Sequence, residues 1–164
     1  MNKHQEPTKN SVWRHWHHDV PNDRMAHLVR DTSRLLARSL QARLTNYDVS
    51  FGHWAFLRIL WVKDGITQAK LSEEAGLMVP TTFAALKAME KKGYIYRRKK
   101  ADNKQKVFIY LTPEGKALKN VLTPLGEEVN SLALDGLSSE HKDIVRAALL
   151  HMIENLAEDP IFNE

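Results

Sequence analysis

The order of elements in the central part of this chain, between Thr67 and Thr112, constrains its fold more than any other feature. The residue pattern there predicts a short helix, a second helix rich in lysine, and two strands joined by a polar turn. The predicted bounds are Thr67–Gly76 and Val79–Lys92 for the helices, Ile95–Lys100 and Lys106–Leu111 for the strands, and 101–105 for the turn. Ser50 and Thr67 are predicted to cap helices, Pro80 fits the first turn of the second of these helices, and Ile66 is predicted to add a short strand to the hairpin. This order predicts a winged helix-turn-helix, a mainly α fold with a small β-wing.

Positive charge is concentrated in the same region. From Lys87 to Lys106 the chain has nine basic residues against two acidic ones, a balance of +7, whereas the whole chain carries +4 and the remainder is therefore −3. A local basic stripe is typical of a phosphate-binding surface, because each neutralised phosphate releases condensed counterions. A lysine-rich run by itself is more often a solvated face, but its coincidence with the predicted helix and wing favours duplex DNA as the partner. An acidic protein is the alternative partner.

Composition excludes several other classes of protein. The length of 164 residues corresponds to about one domain, and 43% hydrophobic residues are enough to form a core. The absence of cysteine excludes disulfides, thiolate metal ligands and a thiol-based oxidation switch. The sequence has no apolar run of ~18 residues, and Met1–Asn10 is too polar for a secretory signal, so we expect a cytoplasmic protein.

No motif in the sequence predicts catalysis. The serines lack the glycine pattern of a nucleophile elbow, and no glycine-rich phosphate loop occurs. Glu73 and Glu74 belong to a short polar helix, where a pair of carboxylates is most simply solvated surface. His141 and His151 are predicted to lie on a helix surface or at an interface. We therefore expect neither enzymatic activity nor a cofactor.

Amphipathic helices are predicted on both sides of the central region. We expect an N-terminal arm over 1–21, dimerisation helices over 22–48 and 112–164, and the winged helix-turn-helix over 49–111. A single copy would cover the apolar faces of the flanking helices poorly, which favours a two-fold dimer. Such a dimer would place two reading helices about 34 Å apart, one turn of DNA. The alternative is a monomer whose flanking helices pack on its own winged domain.

Four short motifs, taken in order, are specific for one family. They are Val49-Ser50 with His53-Trp54, Leu71–Gly76, Leu86–Ile95 and Leu111–Gly115. Across residues 22–158 the chain resembles the MarR family of bacterial transcription regulators. The resemblance implies a homodimer of triangular outline, a DNA-reading helix from about Pro80 to Lys92, and a wing that reaches the minor groove. It also implies repression that is relieved when a small molecule binds between the dimerisation and DNA-binding parts.

The predicted DNA contacts lie on the reading helix and the wing. They are Pro80, Thr81, Thr82, Phe83, Lys87, Arg97, Arg98, Lys100, Asn103, Lys104 and Lys106. The wing tip of the family usually carries Asp-Arg-Arg where this chain has Asn103-Lys104-Gln105, so Lys104 takes the groove-entering role with an ammonium group. Thr and Phe side chains contact thymine methyls, and Lys87 is expected to reach guanine acceptors. Whether Phe83 faces DNA or the core is left open by the sequence.

A segment before the first helix, Trp13–Asp19, is crowded with aromatic and ionisable side chains. Trp13, Arg14 and Trp16 are candidates to line an effector pocket, because indole rings stack on aromatic ligands and a guanidinium group holds a carboxylate. The resemblance places His53 and Trp54 near that pocket and suggests an aromatic or heteroaromatic acid as inducer, typical of regulators that control breakdown of such compounds. Two alternatives remain open. The tryptophans could simply anchor the arm, or a zinc ion could be bound by His15, His17, His18 and Asp19.

Overall fold

The computed structural model describes residues 25–100 and 103–162, and the elements follow the predicted order. Within these ranges the helices are α1 (Met25–Leu44), α2 (Phe51–Val62), α3 (Gln68–Ala75), α4 (Val79–Lys91), α5 (Pro113–Ala133) and α6 (Ser139–Ala157). The strands are β1 (Ile66–Thr67), β2 (Ile95–Lys100) and β3 (Asn103–Leu111), and short 3-10 helices span Thr45–Tyr47 and Pro160–Phe162. The predicted fold class, mainly α with a small β-wing, is confirmed.

The chain divides into two compact units, residues 1–126 and 127–164. The first unit contains α1 to α4, the sheet and most of α5. Fully buried side chains come from all of these elements, among them Leu44, Phe56, Leu57, Leu71, Leu86, Met89, Ile95, Ile109 and Leu122. Since burial of apolar surface contributes about 25 cal/mol per Å², this shared core fixes α4 against the sheet.

Local sequence signals set the ends of the central helices as predicted. The hydroxyl groups of Ser50 and Thr67 each accept a hydrogen bond from the backbone amide three residues later, at 3.1 and 3.2 Å. Gly76 ends α3 with φ 62°, and Gly93 follows α4 with φ 74°, a region of backbone space that favours glycine. Pro80 lies in the first turn of α4, where its missing N–H costs no intrahelical hydrogen bond.

The three strands form an antiparallel sheet in the order β1-β3-β2. Ile66 pairs with Ile109, which confirms the short strand predicted beside the hairpin. β3 begins at Asn103 rather than at Lys106, and Asn103 pairs with Lys100. The predicted turn at 101–105 was therefore too long. Ladder hydrogen bonds, with a register shift after Lys99, override the turn propensity of the polar residues.

The second unit consists of the last turns of α5, the helix α6 and the terminal 3-10 helix. α6 begins after Ser138, whose hydroxyl group accepts a hydrogen bond from the backbone N–H of His141 at 3.2 Å. Among the 19 residues of α6, all of which the structure describes, none is buried. No helix within residues 25–100 and 103–162 is both long and apolar enough to span a membrane.

Candidate nucleic-acid interface

Helix α4 has one face in the core and one face in solvent. Leu86 and Met89 are fully buried against the first unit. Pro80, Thr81 and Lys87 are exposed, and Phe83 retains 48% of its accessible surface. This exposure excludes the alternative in which Phe83 belongs to the core. The exposed face of α4 therefore carries most of the predicted base-reading residues.

Thr82 is the exception among the residues predicted to contact DNA from α4. Its side chain is completely buried, and its hydroxyl group donates a hydrogen bond to the backbone oxygen of Met78 at 3.2 Å. The helical period explains this position, because Thr82, Leu86 and Met89 follow the i, i+4, i+7 spacing of one face. Thr82 is thus a correction to the predicted set of contacts, since its side chain faces the core and not a base pair.

The basic residues of the wing extend the same exposed surface. Arg98, Lys99 and Lys106 are exposed on β2 and β3. An open groove of about 530 Å³ lies between α4 and β2, and it is lined by Ala84, Lys87, Ala88, Glu90, Lys91 and Arg97. Lys100, Asn103 and Lys104 belong to the end of the hairpin, where the structure describes backbone positions only.

Arg97, another predicted DNA contact, is engaged within the protein. Its Nε donates to Oε2 of Glu90 at 2.8 Å, and its Nη2 donates to the same oxygen. Its guanidinium carbon lies 5.8 Å from the centroid of the Phe83 ring. The hydrogen bonds with Arg97 lower the pKa of Glu90, and those with Glu90 raise the pKa of Arg97. Both shifts favour the charged forms, so the ion pair that joins α4 to β2 persists at neutral pH.

The exposed apolar residues at the start of α4 were not predicted from the sequence. Met78 and Val79 are 76% and 53% exposed, next to the turn that leads into the helix. The position of these two residues could have indicated contact with DNA, because residues at the N-terminus of a recognition helix face the base edges in a helix-turn-helix.

Of the residues predicted to bind an effector, Trp54 lies in the core. Its side chain is 7% exposed, and its ring meets that of Trp61 edge-on with centroids 5.5 Å apart. A Cβ atom at Gly126 would lie 3.2 Å from the Trp54 ring, which shows how closely α5 packs there. Trp54 therefore does not line an open surface of the first unit, and its place near an effector pocket stays a prediction.

His53, the neighbouring residue, is half-buried at the start of α2. Its Nδ1 atom is buried, and no hydrogen-bond partner for it is found among the described residues. Burial is the largest cause that lowers the pKa of His53; Lys92 lowers it further, whereas Asp48 raises it. Nζ of Lys92 lies 2.6 Å from Oδ1 of Asp48, so this imidazole stands beside an ion pair.

The remaining candidates for effector and zinc binding lie outside the described residues. They are Trp13, Arg14 and Trp16 for the effector, and His15, His17, His18 and Asp19 for zinc. Within residues 25–100 and 103–162, no three His, Cys, Asp or Glu side chains are grouped so that they could hold a metal ion.

Comparison with known proteins agrees with this geometry. A profile of the MarR family matches residues 49–107, which lie within the region 49–111 predicted to bind DNA. The transcriptional regulator HosA of Escherichia coli O157:H7 is 31% identical over 97 residues, which cover 59% of this chain and 72% of HosA. The chain belongs to the MarR family.

Two solved structures of transcriptional regulators are similar to this chain over most of its length. The transcriptional regulator SlyA is 26% identical with a TM-score of 0.79, covering 87% of this chain and 100% of SlyA. MepR of S. aureus, solved in complex with DNA, is 26% identical with a TM-score of 0.73, covering 81% of this chain and 98% of MepR. As a member of the MarR family, the protein is a DNA-binding transcriptional regulator and not an enzyme.

Proposed function

We propose that this MarR-family protein is a homodimeric repressor that binds a pseudo-palindromic operator and releases it when a small aromatic or heteroaromatic acid binds. The observation that carries the proposal is the continuous exposed surface of α4 and the wing, in which basic side chains surround an open groove. The residues proposed to contact the operator directly are Pro80, Thr81, Phe83, Lys87, Arg98, Lys100, Asn103, Lys104 and Lys106.

The proposed dimer rests on the exposed apolar side chains of α6. They are 41–63% exposed in the single chain: Ile144, Val145, Leu149, Leu150, Ile153 and Leu156. The first half of α1 also exposes Met25 and Leu28, at 59% and 39%. Exposed apolar surface of this kind on each helix marks an interface, and a two-fold partner would cover the same helices in both copies. Such a dimer matches a palindromic operator with half-sites about 34 Å apart.

Placing charges on α6 is expected to separate the two copies. We expect the wild type to sediment as two chains and the variant Ile153→Glu with Leu156→Glu to sediment as one. These two side chains are 63% and 59% exposed, so in a single chain the substitutions cost little. Loss of the second half-site is expected to weaken operator binding about 100-fold or more, because linked sites act at a high effective concentration.

Val62→Glu provides a matched control for the dimer experiment. Val62 is 88% exposed at the end of α2, outside the proposed interface. It is expected to leave both the mass and the operator affinity unchanged. A wild type that sediments as a single chain would contradict the proposed dimer, and an α6 variant that stays dimeric would contradict the proposed interface.

The proposed effector site combines residues from the N-terminal arm with the start of α2. Trp13, Arg14 and Trp16 provide the stacking and carboxylate-binding groups. Nδ1 of His53, which has no hydrogen-bond partner among the described residues, provides a further polar contact. For release, the acid must bind more tightly to a dimer with altered spacing of the α4 helices than to the DNA-bound dimer.

Thermal melting tests the effector class directly. Benzoate, hydroxybenzoates and pyridine carboxylates are expected to raise the melting temperature and to displace a bound duplex, because a ligand at 100 times its dissociation constant adds about 2.7 kcal/mol of stability. Benzyl alcohol, which lacks the carboxylate, and the variant Arg14→Ala are expected to show little change. A response to zinc chloride that a chelator reverses would instead support the zinc-responsive alternative, and no response to either class would contradict the effector proposal.

A further inference from the structure

We propose that the regulator reads thymine-bearing base pairs through an apolar surface at the start of α4, and that the Glu90–Arg97 ion pair positions Phe83 within it. Phe83 thereby becomes a specificity-determining residue and Arg97 a positioning residue. The inference rests on the DNA-binding function of α4 and adds the kind of half-site that this chain selects.

The apolar surface is formed by residues that a single chain leaves in solvent. Met78 is 76% exposed, Val79 53% and Phe83 48%. Val79 and Phe83 are four residues apart on α4 and therefore lie on the same side of the helix. Large apolar side chains grouped in this way indicate a surface that is covered by a partner.

Charge complementarity identifies duplex DNA as the occupant of this surface. Lys87 follows Phe83 by four residues and continues the same exposed stripe, and Arg98 and Lys99 are exposed on the neighbouring strand. A partner must then present negative charge beside small apolar groups. The major groove does so, because phosphates border it and the 5-methyl group of thymine is the apolar feature of its base edges.

The ion pair between Glu90 and Arg97 fixes the ring of Phe83. Arg97 is on β2, yet its guanidinium group is bound to Glu90 of α4 through two N–H groups and lies over the Phe83 ring. Only 25% of the Arg97 side chain is exposed. The guanidinium group of Arg97 therefore holds the Phe83 ring against the wing. The Phe83 side chain is still 48% exposed and can contact a base pair.

Replacement of thymine by uracil tests the methyl contact, because it removes the methyl group and keeps every hydrogen-bonding group. Duplexes enriched by the wild-type protein from a randomised pool serve as probes, with thymines exchanged for uracil one position at a time. We expect a loss of about fourfold in affinity per methyl contact at one or two positions of each half-site, as for transfer of one methyl group out of water. Phe83→Ala is expected to lose the thymine preference at the position that the Phe83 ring contacts.

The positioning role is tested by Glu90→Gln. Removal of a negative charge near phosphates would by itself tighten binding to every duplex, whereas loss of the charged acceptor weakens the hold on Arg97 and is expected to lower the thymine-to-uracil ratio below about fourfold. Glu73→Gln is the matched control, because Glu73 forms a 3.1 Å ion pair with Lys70 on the exposed side of α3. It is expected to retain the full ratio.

The thymine preference, the DNA-binding function and the positioning role of Arg97 can each be contradicted separately. A wild type that enriches duplexes but is indifferent to uracil at every position overturns the thymine inference and leaves the DNA-binding function intact. A protein that enriches no duplex contradicts the function itself. A Glu90→Gln variant that keeps the full thymine preference overturns the positioning role of Arg97.

Discussion

Replacing Lys87, Arg98 and Lys106 together by alanine is expected to weaken binding to duplex DNA by roughly 10² to 10³-fold at about 0.1 M salt. All three side chains are exposed, on α4, β2 and β3. Each phosphate contact contributes a slope of about 0.9 to the dependence of log affinity on log salt concentration, so one contact is worth about eightfold between 1 M and 0.1 M salt. Salt titrations of the wild type and the variant measure this, and the slope is expected to fall by about three.

Three other lysines provide the matched control for the loss of charge. Lys63, Lys116 and Lys119 line a cleft of about 320 Å³ beside Trp61, formed by α2, β3 and α5. Their replacement by alanine removes the same net charge from outside the proposed interface, and we expect the slope to stay nearly unchanged. An equal loss in both variants would mean that the net charge of the protein governs affinity, and no loss in either would contradict the assignment of α4 and the wing.

The parts of this fold that depend on neighbouring residues were predicted from the sequence. Ser50 and Thr67 cap their helices through amides three residues away, and Gly76 ends α3 because glycine adopts a positive φ at little cost. The short strand at Ile66 was also predicted, since the hairpin that it joins was already evident. These signals are local, and tertiary packing does not override them here.

The parts that depend on contacts between distant residues were not predicted. Arg97 was interpreted as a DNA contact because its sequence neighbourhood is basic, but the fold brings it to Glu90 on the preceding helix. The contacts of Trp54 with Trp61 and its closeness to Gly126 were likewise not predicted. Composition and spacing give the chemistry of such side chains, but the partner that each one contacts is set by the tertiary fold.

Thr82 and Phe83 show the same limit within a single helix. Both were predicted to contact DNA, yet one is fully buried and the other is 48% exposed. Adjacent residues in a helix point about 100° apart, so a helix that reads DNA on one side turns every third or fourth residue to the core. The spacing of Leu86 and Met89 places Thr82 on their side of α4 and Phe83 on another side. It shows that Thr82 is the buried residue only once the side of α4 that faces the core is known.

Gly115→Ala is expected to destabilise the first unit by about 3 kcal/mol or more, because there is no space for a Cβ atom at this position. A Cβ atom there would lie 2.0 Å from the backbone oxygen of Tyr94, and backbone cannot move aside as a flexible side chain can. The same residue joins three elements. Its N–H donates to Oγ1 of Thr112 at 3.0 Å, Thr112 Oγ1 donates to the backbone oxygen of Gly93 at 2.6 Å, and Nε1 of Trp61 donates to the Gly115 oxygen at 2.8 Å.

Thermal melting at one fixed protein concentration measures this effect, and the melting temperature of Gly115→Ala is expected to fall by about 6–12 °C. Gly52→Ala is the control, because a Cβ atom at Gly52 would have its nearest neighbour, Oγ of Ser50, at an ordinary 3.9 Å. Alanine favours a helix over glycine by about 1 kcal/mol, so this variant is expected to melt at the wild-type temperature or slightly above it. If Gly115→Ala melted together with Gly52→Ala, the close approach of α5 to Tyr94 would not be what requires glycine in the Leu111–Gly115 motif.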